Sequence, residues 1–219
     1  MKVMRAFTLI ELVVVIATVG IVASLLLPAY GRATDKAKAS VCLYNLKQWG
    51  VATQLYIAEN RDSLPPEGTA NPSDTDTNIG WYVQLPQFLN LPRYHDQPWR
   101  TNADAPLPRS LWICPSNSRR SNGKNLFHYC LNRNVNGTGA ENYTVKLLSV
   151  RRQSSVVWLF DSRNLPAVGT QNYVHTNLHN RGAQFLFLDG HVQQFRSAAY
   201  WNFTADKGLT NNPDIVWYP

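Results

Sequence analysis

The chain is poor in charge and cysteine, and it lacks the common catalytic motifs. Charged residues make up 16% of its 219 residues, while 44% are hydrophobic, so it is not a disordered polyelectrolyte. Acidic residues are the scarcer sign, 14 against 21 basic, which gives a formal net charge of +7. Such a surface can meet nucleic acid or anionic lipid, or serve solubility alone. The basic residues Arg119, Arg120, Arg133, Arg151 and Arg152 are scattered rather than striped along one helix, so nucleic-acid binding carries little weight. Cys42, Cys114 and Cys130 form no CxxC pair, which argues against a structural zinc site. G-x-S-x-G, G-x-x-x-x-G-K-[ST] and H-E-x-x-H are all missing, and an enzyme is not expected. No internal repeat occurs.

What the chain does have is a long apolar run. Between Phe7 and Tyr30 it is long enough to span a bilayer. Lys2 and Arg5 precede it and should remain cytoplasmic, which places everything after Pro28 outside the cytoplasm. Leu12 to Leu27 exceeds the core of a secretory signal, and no small-x-small cleavage site clearly follows, so the run reads as an anchor. Outside the cytoplasm a disulfide is allowed, with one thiol left over, and spacing leaves its connectivity open. Glu11 lies just inside the run, where a lone carboxylate costs several kcal/mol unless it is neutralised or paired.

The helical pattern continues past the apolar run. Tyr30, Ala33, Ala37, Val41, Tyr44, Val51, Leu55 and Ala58 recur at helical spacing, with Arg32, Asp35, Lys36, Lys38, Lys47 and Glu59 between them. The spacing predicts one helix from about Phe7 to Asn60, roughly 80 Å long. Gly20 and Pro28 are points where it can bend or unwind. Residues 62–80 read as a loop, and the chain then breaks into short segments. "WYVQLPQFL" is a short helix or an edge segment. "SLWICP" and "LFHYCLN" are strand-like, and "SSVVWLFD" is a better strand. "AQFLFLDGHVQQF" predicts a hairpin. A two-residue type I′ turn at Asp189-Gly190 would pair Leu188 with His191 and Phe187 with Val192. The tail "GLTNNPDIVWYP" reads as loop with a closing aromatic cluster.

The expected fold class is therefore α+β: a long N-terminal helix on a small antiparallel sheet, the sheet lying on residues 30 to 60. The expected segments are 1–6, 7–30 in the membrane, 31–60 as an amphipathic half, and 61–219 as the head.

Two polar groupings could hold a metal. His175 and His179 would share a helix face if their loop were helical, with His191 or Asp189 as further ligands. Asn177, Asn180 and Gly182 make the segment a polar loop, so the favoured role for His179 is a hydrogen bond to the turn at Asp189. "SDTDTN" carries Asp74 and Asp76 in an alternation that suits calcium, without the Gly and terminal Glu of an EF-hand loop; a solvated loop is the favoured reading. The tryptophans and tyrosines could bind sugar, but most should be core.

At "RAFTLIE" the sequence resembles type IV pilins and type II secretion pseudopilins: a short basic leader, Phe-Thr-Leu-Ile-Glu, then the apolar run. The match continues through "LLLPAYGRATDKAKASVCLYNLKQWG". It is similar to a branch with Cys…Asn-Leu-Lys-Gln here, a Cys-Pro-Ser step as in "WICPSN", and a C-terminal His…Asp-Gly signature, here His179, Asp189 and Gly190. The resemblance is dense over residues 5 to 60 and thin beyond. It implies a pilin-like fold. It also implies cleavage by a prepilin peptidase after Ala6, where the family usually has Gly, and N-methylation of Phe7. The anchored subunit would leave the bilayer, through an inner-membrane assembly platform and with other pseudopilins, to self-associate into a helical filament. Its head would be periplasmic or extracellular. Glu11 would pair with the methylated amine of a neighbouring Phe7. Cys42 and Cys114 fall at the branch's recurring cysteine positions, which implies that disulfide; Cys114 to Cys130 is the local rival. The expected function is a pseudopilin of a type II secretion-like system. The alternatives are a surface pilin for adhesion, motility or DNA uptake, and a non-polymerising, membrane-anchored, metal-dependent head. No cofactor is expected beyond the calcium candidate.

Overall fold

The computed structural model describes residues 8–73, 80–136, 145–163 and 166–219. The leader and cleavage residues Ala6 and Phe7, and the calcium candidates Asp74 and Asp76, lie outside the described residues. Helix α1 covers Leu9–Glu59, and the chain divides into one unit up to Ala37 and a second unit, Lys38–Pro219. The helix is unbroken at Gly20 and at Pro28, although proline supplies no N–H to the helical ladder.

In the second unit, α2 (Trp81–Gln84) leads into a 3-10 turn at Pro86–Leu89. The strands of the main sheet are β1 (Tyr129–Asn132), β2 (Val157–Asp161), β3 (Val168–Gly169), β4 (Gly182–Phe187) and β5 (Val192–Arg196). Their order is β3-β1-β2-β4-β5. All pairs are antiparallel except the edge pair β1–β3, which is parallel. The α+β fold with an antiparallel-rich head is therefore present.

The helix packs on a face other than the expected one. Cys42, Asn45, Leu46, Trp49, Ala52, Thr53, Tyr56 and Ile57 are buried, a stripe with steps of three and four. Val41, Tyr44, Val51 and Leu55 from the predicted face are 42–58% exposed, and Tyr30 is exposed as well. Asn45 and Thr53 made the true stripe look polar, but both are satisfied inside. Asn45 Nδ2 donates to Ile113 O (3.0 Å), and Thr53 Oγ1 accepts from Trp158 Nε1 (3.0 Å). The stripe buries Trp49 against Trp81 and Trp112, at ring separations of 5.4 and 4.7 Å. That burial outweighs the two polar positions.

"SLWICP" is a turn rather than a strand. Its carbonyls serve the helix instead of a ladder: Trp49 Nε1 donates to Leu111 O (3.1 Å), beside the Asn45 bond to Ile113. The tail is also more than loop. Strands β6 (Trp201–Asn202), β7 (Lys207–Gly208), β8 (Asn211–Asn212) and β9 (Ile215–Val216) make two small hairpins. They belong to a second core, in which Trp217, Tyr200 and Ile215 meet Phe160, Phe185 and Phe187 of the main sheet. The sheet has two covered faces, which explains why β1, β2 and β4 are buried along their whole length.

The predicted hairpin exists in another register. Leu186 pairs with Val192, and Phe187 N donates to His191 O (3.0 Å), so the loop is the three residues Leu188, Asp189 and Gly190. A type I′ turn needs positive φ at both central residues, and only Gly190 has it, at 86°. Leu188 is held in the core with its N–H on Val156 O (3.1 Å), so it cannot take a ladder position opposite His191.

Candidate functional site

Two features stand out, one in each unit. In the first, Thr8 and Glu11 build a capping box at the start of α1. Thr8 N–H and Thr8 Oγ1 both donate to Glu11 Oε2, at 2.8 and 2.7 Å, and Glu11 N–H returns to Thr8 Oγ1 at 3.3 Å. The carboxylate thereby satisfies a backbone donor that the helix cannot. Behind it the large apolar side chains from Leu9 to Leu27 are all exposed, from 47% at Val13 to 80% at Leu9. The polar side chains in the run turn inward on their own helix: Thr18 Oγ1 donates to Val15 O and Ser24 Oγ to Ile21 O. By length and composition this helix can cross a membrane.

The second feature is buried in the head. The structure joins Cys42 of α1 to Cys114, while Cys130 is free and buried. Against the disulfide lies His179, 2% exposed, with Nε2 3.6 Å from Cys114 Sγ and 3.1 Å from Asp161 Oδ2. Asp161 closes β2, is fully buried, and also takes Gln184 N–H at 2.8 Å. Cys114 N–H donates to His128 Nδ1 (3.1 Å), which leaves the proton on Nε2 to reach Arg119 O (3.1 Å). Burial pushes the His128 pKa down to about 4, so this imidazole is neutral at physiological pH.

The hairpin loop docks on α1 at Lys47, Gly50 and Gln54. Lys47 Nζ donates to Gly190 O (2.9 Å) and Gln54 Nε2 to Leu188 O (2.9 Å). Gly50 allows the approach, because a Cβ there would stand 2.9 Å from Leu186 Cδ1 and 3.4 Å from Gly190 O. Cys42, Cys114 and His179 thus meet in one place, and Lys47 meets Gly190 further along α1, although these residues are far apart in sequence.

His179 does not bond Asp189, contrary to expectation. Asp189 Oδ1 instead holds His191 through both its backbone N–H (3.0 Å) and its Nδ1 (2.6 Å) at the surface, and the His191 ring stacks on Phe187. The segment around His175 and His179 is not helical. His175 Nδ1 accepts from Asn177 N–H, and among the described residues His179 groups with Cys42 and Cys114 rather than with His175, His191 or Asp189. Among the buried polar residues that sequence reasoning missed are Asp161 and His128, and of the two Asp161 carried a signal. Its signal was a carboxylate ending the apolar strand "SSVVWLFD", where a buried charge needs a partner.

A protease-like relay is excluded by geometry. Cys114 and Asp161 both face the same nitrogen of His179, whereas a nucleophile–base–orienter chain uses both ring nitrogens. The cluster is also closed to substrate.

No family model and no solved structure matches the chain. Among curated proteins it is 38% identical over 88 residues to a fimbrial protein of Neisseria meningitidis serogroup A / serotype 4A, which is 39% of this chain and 51% of that protein. It is 31% identical over 81 residues to a fimbrial protein of Pseudomonas aeruginosa, 37% of this chain and 51% of the relative. A fimbrial protein of Neisseria meningitidis serogroup B is 36% identical over 88 residues, again 39% of this chain and 51% of the relative. The chain spans about half the length of the curated relatives it matches. It is similar to fimbrial, type IV pilin proteins, and its long apolar N-terminal helix fits a pilin-like fold.

Proposed function

We propose that this chain is a structural, non-enzymatic subunit of a pilus-like filament. The observation that carries the reading is the uncovered apolar surface from Leu9 to Leu27 behind a capped, carboxylate-bearing helix start. Before assembly a bilayer covers that surface, with the head outside the cytoplasm; in the filament the same segments of neighbouring subunits cover it. A prepilin peptidase cuts after Ala6 and the new amine of Phe7 is methylated. The capping box survives the cut, because Thr8 and Glu11 both follow it. Thr8 grips Glu11 Oε2, and the amine of a neighbouring subunit takes the other oxygen. Burying the two charges together is far less costly than burying either alone, and the pair fixes axial register.

The machine is of the type II secretion class, in which the filament works from an inner-membrane platform with other pseudopilins. A surface pilus is the second reading, favoured by the fimbrial names of the curated relatives.

The test is expression of Glu11→Ala, Glu11→Gln and Thr8→Ala in the native host, with sheared filaments, membrane levels and mature N-terminal masses compared. Glu11→Ala should insert and be cut normally but fail to assemble, since an unpaired buried amine costs about 3–5 kcal/mol. Glu11→Gln should rescue only in part. Thr8→Ala loses a cap of about 1 kcal/mol but keeps the charge pair, so it should still assemble. Equal failure of Thr8→Ala and Glu11→Ala would make capping, not pairing, the role of Glu11. An unmethylated Phe7 on assembled protein would remove the processing step. Filament location, together with export in a strain lacking the chain, separates the secretion and surface-pilus readings.

A further inference from the structure

The disulfide, His179 and Asp161 form a donor set richer than a disulfide needs. Cys42 Sγ, Cys114 Sγ and His179 Nε2 all lie within 4.8 Å of one another, and all three residues are buried. His179 Nε2 is the shared centre, 3.6 Å from a sulfur and 3.1 Å from Asp161 Oδ2. Ligands of one tetrahedral zinc ion, at bonds of about 2.0–2.3 Å, stand roughly 3.3–3.8 Å apart. The sulfur–nitrogen spacing already falls in that range, and the nitrogen–oxygen spacing is close to it. Asp161 Oδ1 and His179 Nδ1 are buried without a hydrogen-bond partner among the described residues, so the local polar network is incomplete as it stands.

We propose that Cys42, Cys114, His179 and Asp161 bind a divalent metal of the zinc class when the disulfide is reduced. The cluster then has two mutually exclusive closures, a covalent one and a metal one. A dithiol reductant breaks the Cys42–Cys114 bond, becomes a cyclic disulfide, and leaves its two protons on the cysteine sulfurs. The metal displaces those protons and takes two thiolates, the neutral imidazole and one carboxylate oxygen. The sulfurs need only separate from bonding distance to ligand spacing, so α1 and the segment bearing Cys114 stay tied in both states. The donors come from α1, the Cys114 turn, β2 and the loop before β4, so the lack of a CxxC pair does not bar the site.

The test uses the full chain in detergent, with Cys130→Ser to remove the third thiol. It is reduced with a phosphine, which competes weakly for metal, and titrated with cobalt(II) without oxygen. The reduced chain should bind one ion with the visible bands of tetrahedral cobalt and a near-ultraviolet thiolate band, and zinc should displace it. The oxidised chain should show neither. His179→Gln and Asp161→Asn should weaken cobalt binding by more than about tenfold. Because either variant could misfold, alkylation mapped by mass spectrometry is the second measurement on the unaltered reduced chain. Zinc should protect Cys42 and Cys114 from alkylation and slow their reoxidation. Absence of tetrahedral bands in the reduced chain, equal binding by the oxidised chain, or full alkylation of both cysteines in zinc would each overturn the proposal.

Discussion

Residues 9–37 and residues 38–59 share one helix but meet opposite conditions. In the first stretch the large apolar side chains are exposed, and Thr18, Ser24 and Thr34 bond back to carbonyls of their own helix. In the second, a full stripe is buried and bonds to the head through Asn45 to Ile113 and Trp49 to Leu111, while Lys47 and Gln54 beside it bond Gly190 and Leu188. The difference teaches that regular backbone says little about where a helix gets its stability. The second stretch is completed by its own chain. The first has apolar surface that something outside the chain must cover.

Removing the second stretch breaks the comparison most severely. A chain beginning at residue 61 lacks Leu46, Trp49, Tyr56 and Ile57, each worth about 1.5–3 kcal/mol of burial, against a typical domain stability of about 5–15 kcal/mol. It also lacks Cys42, whose bridge to Cys114 closes a separation of 72 residues and contributes about 4 kcal/mol in the chain-entropy view. Near-ultraviolet circular dichroism should show no cooperative melt for this chain. A chain beginning at residue 30 should melt cooperatively and remain monomeric. Matching melts would mean that the buried stripe is dispensable.

The long helix, the described start of the loop after it (62–73), the strands at 157–161 and 182–187 and the Asp-Gly hairpin were legible because each has a local signal: period, breakers or turn chemistry. The face of the helix was not. Two apolar stripes compete between residues 41 and 58, and the winning one contains Asn45 and Thr53, which only become core-compatible once Ile113 O and Trp158 Nε1 are in reach. The hairpin register failed for a similar reason. Asp-Gly fits a two-residue turn locally, but the burial of Leu188 demands a third loop residue. The pairing of His179 with Asp161 joins residues 18 apart in sequence, one ending β2 and the other in the loop before β4, and no local rule contains it. Its partner cysteines were legible only through family resemblance.

Acid separates the two regions more gently. His128 titrates near 6.5 when unfolded and about 4 when folded, because burial disfavours its charged form. Between those values the unfolded chain binds more protons, so stability rises with pH through this window. The stabilisation is complete above the unfolded pKa and falls as pH drops toward the folded one, by about 3 kcal/mol in all at 1.36 kcal/mol per pKa unit. His175, also lowered mainly by burial, adds a loss of the same sign. Urea denaturation of the chain beginning at residue 30, across this range, should show the slope, and His128→Gln should flatten it. An unchanged slope in that variant would assign the acid response elsewhere. Residues 9–37 contain no histidine, so their helicity should not follow this titration.

The smallest effect on stability tests the other side of the same helix. Val51 and Leu55 are 42% and 44% exposed and stand one turn apart, on the stripe opposite the buried one. Nothing in the head covers them fully, so Val51→Ser with Leu55→Ser should move folding stability by no more than about 0.5 kcal/mol per site. The melt of the chain beginning at residue 30 reads this directly. On the filament reading proposed above, the same pair of substitutions in the native host should lower filament yield, because a neighbouring subunit would cover this exposed stripe, which includes Val41 and Tyr44. Insertion and the mature N-terminal mass should stay normal, which separates lost packing from lost processing. An unchanged melt with unchanged filaments would confine the assembly surface to residues 9–37. A melt lowered by more than about 1 kcal/mol per site would mean that the head already uses this face, and the contrast between the two stripes of the helix would fail.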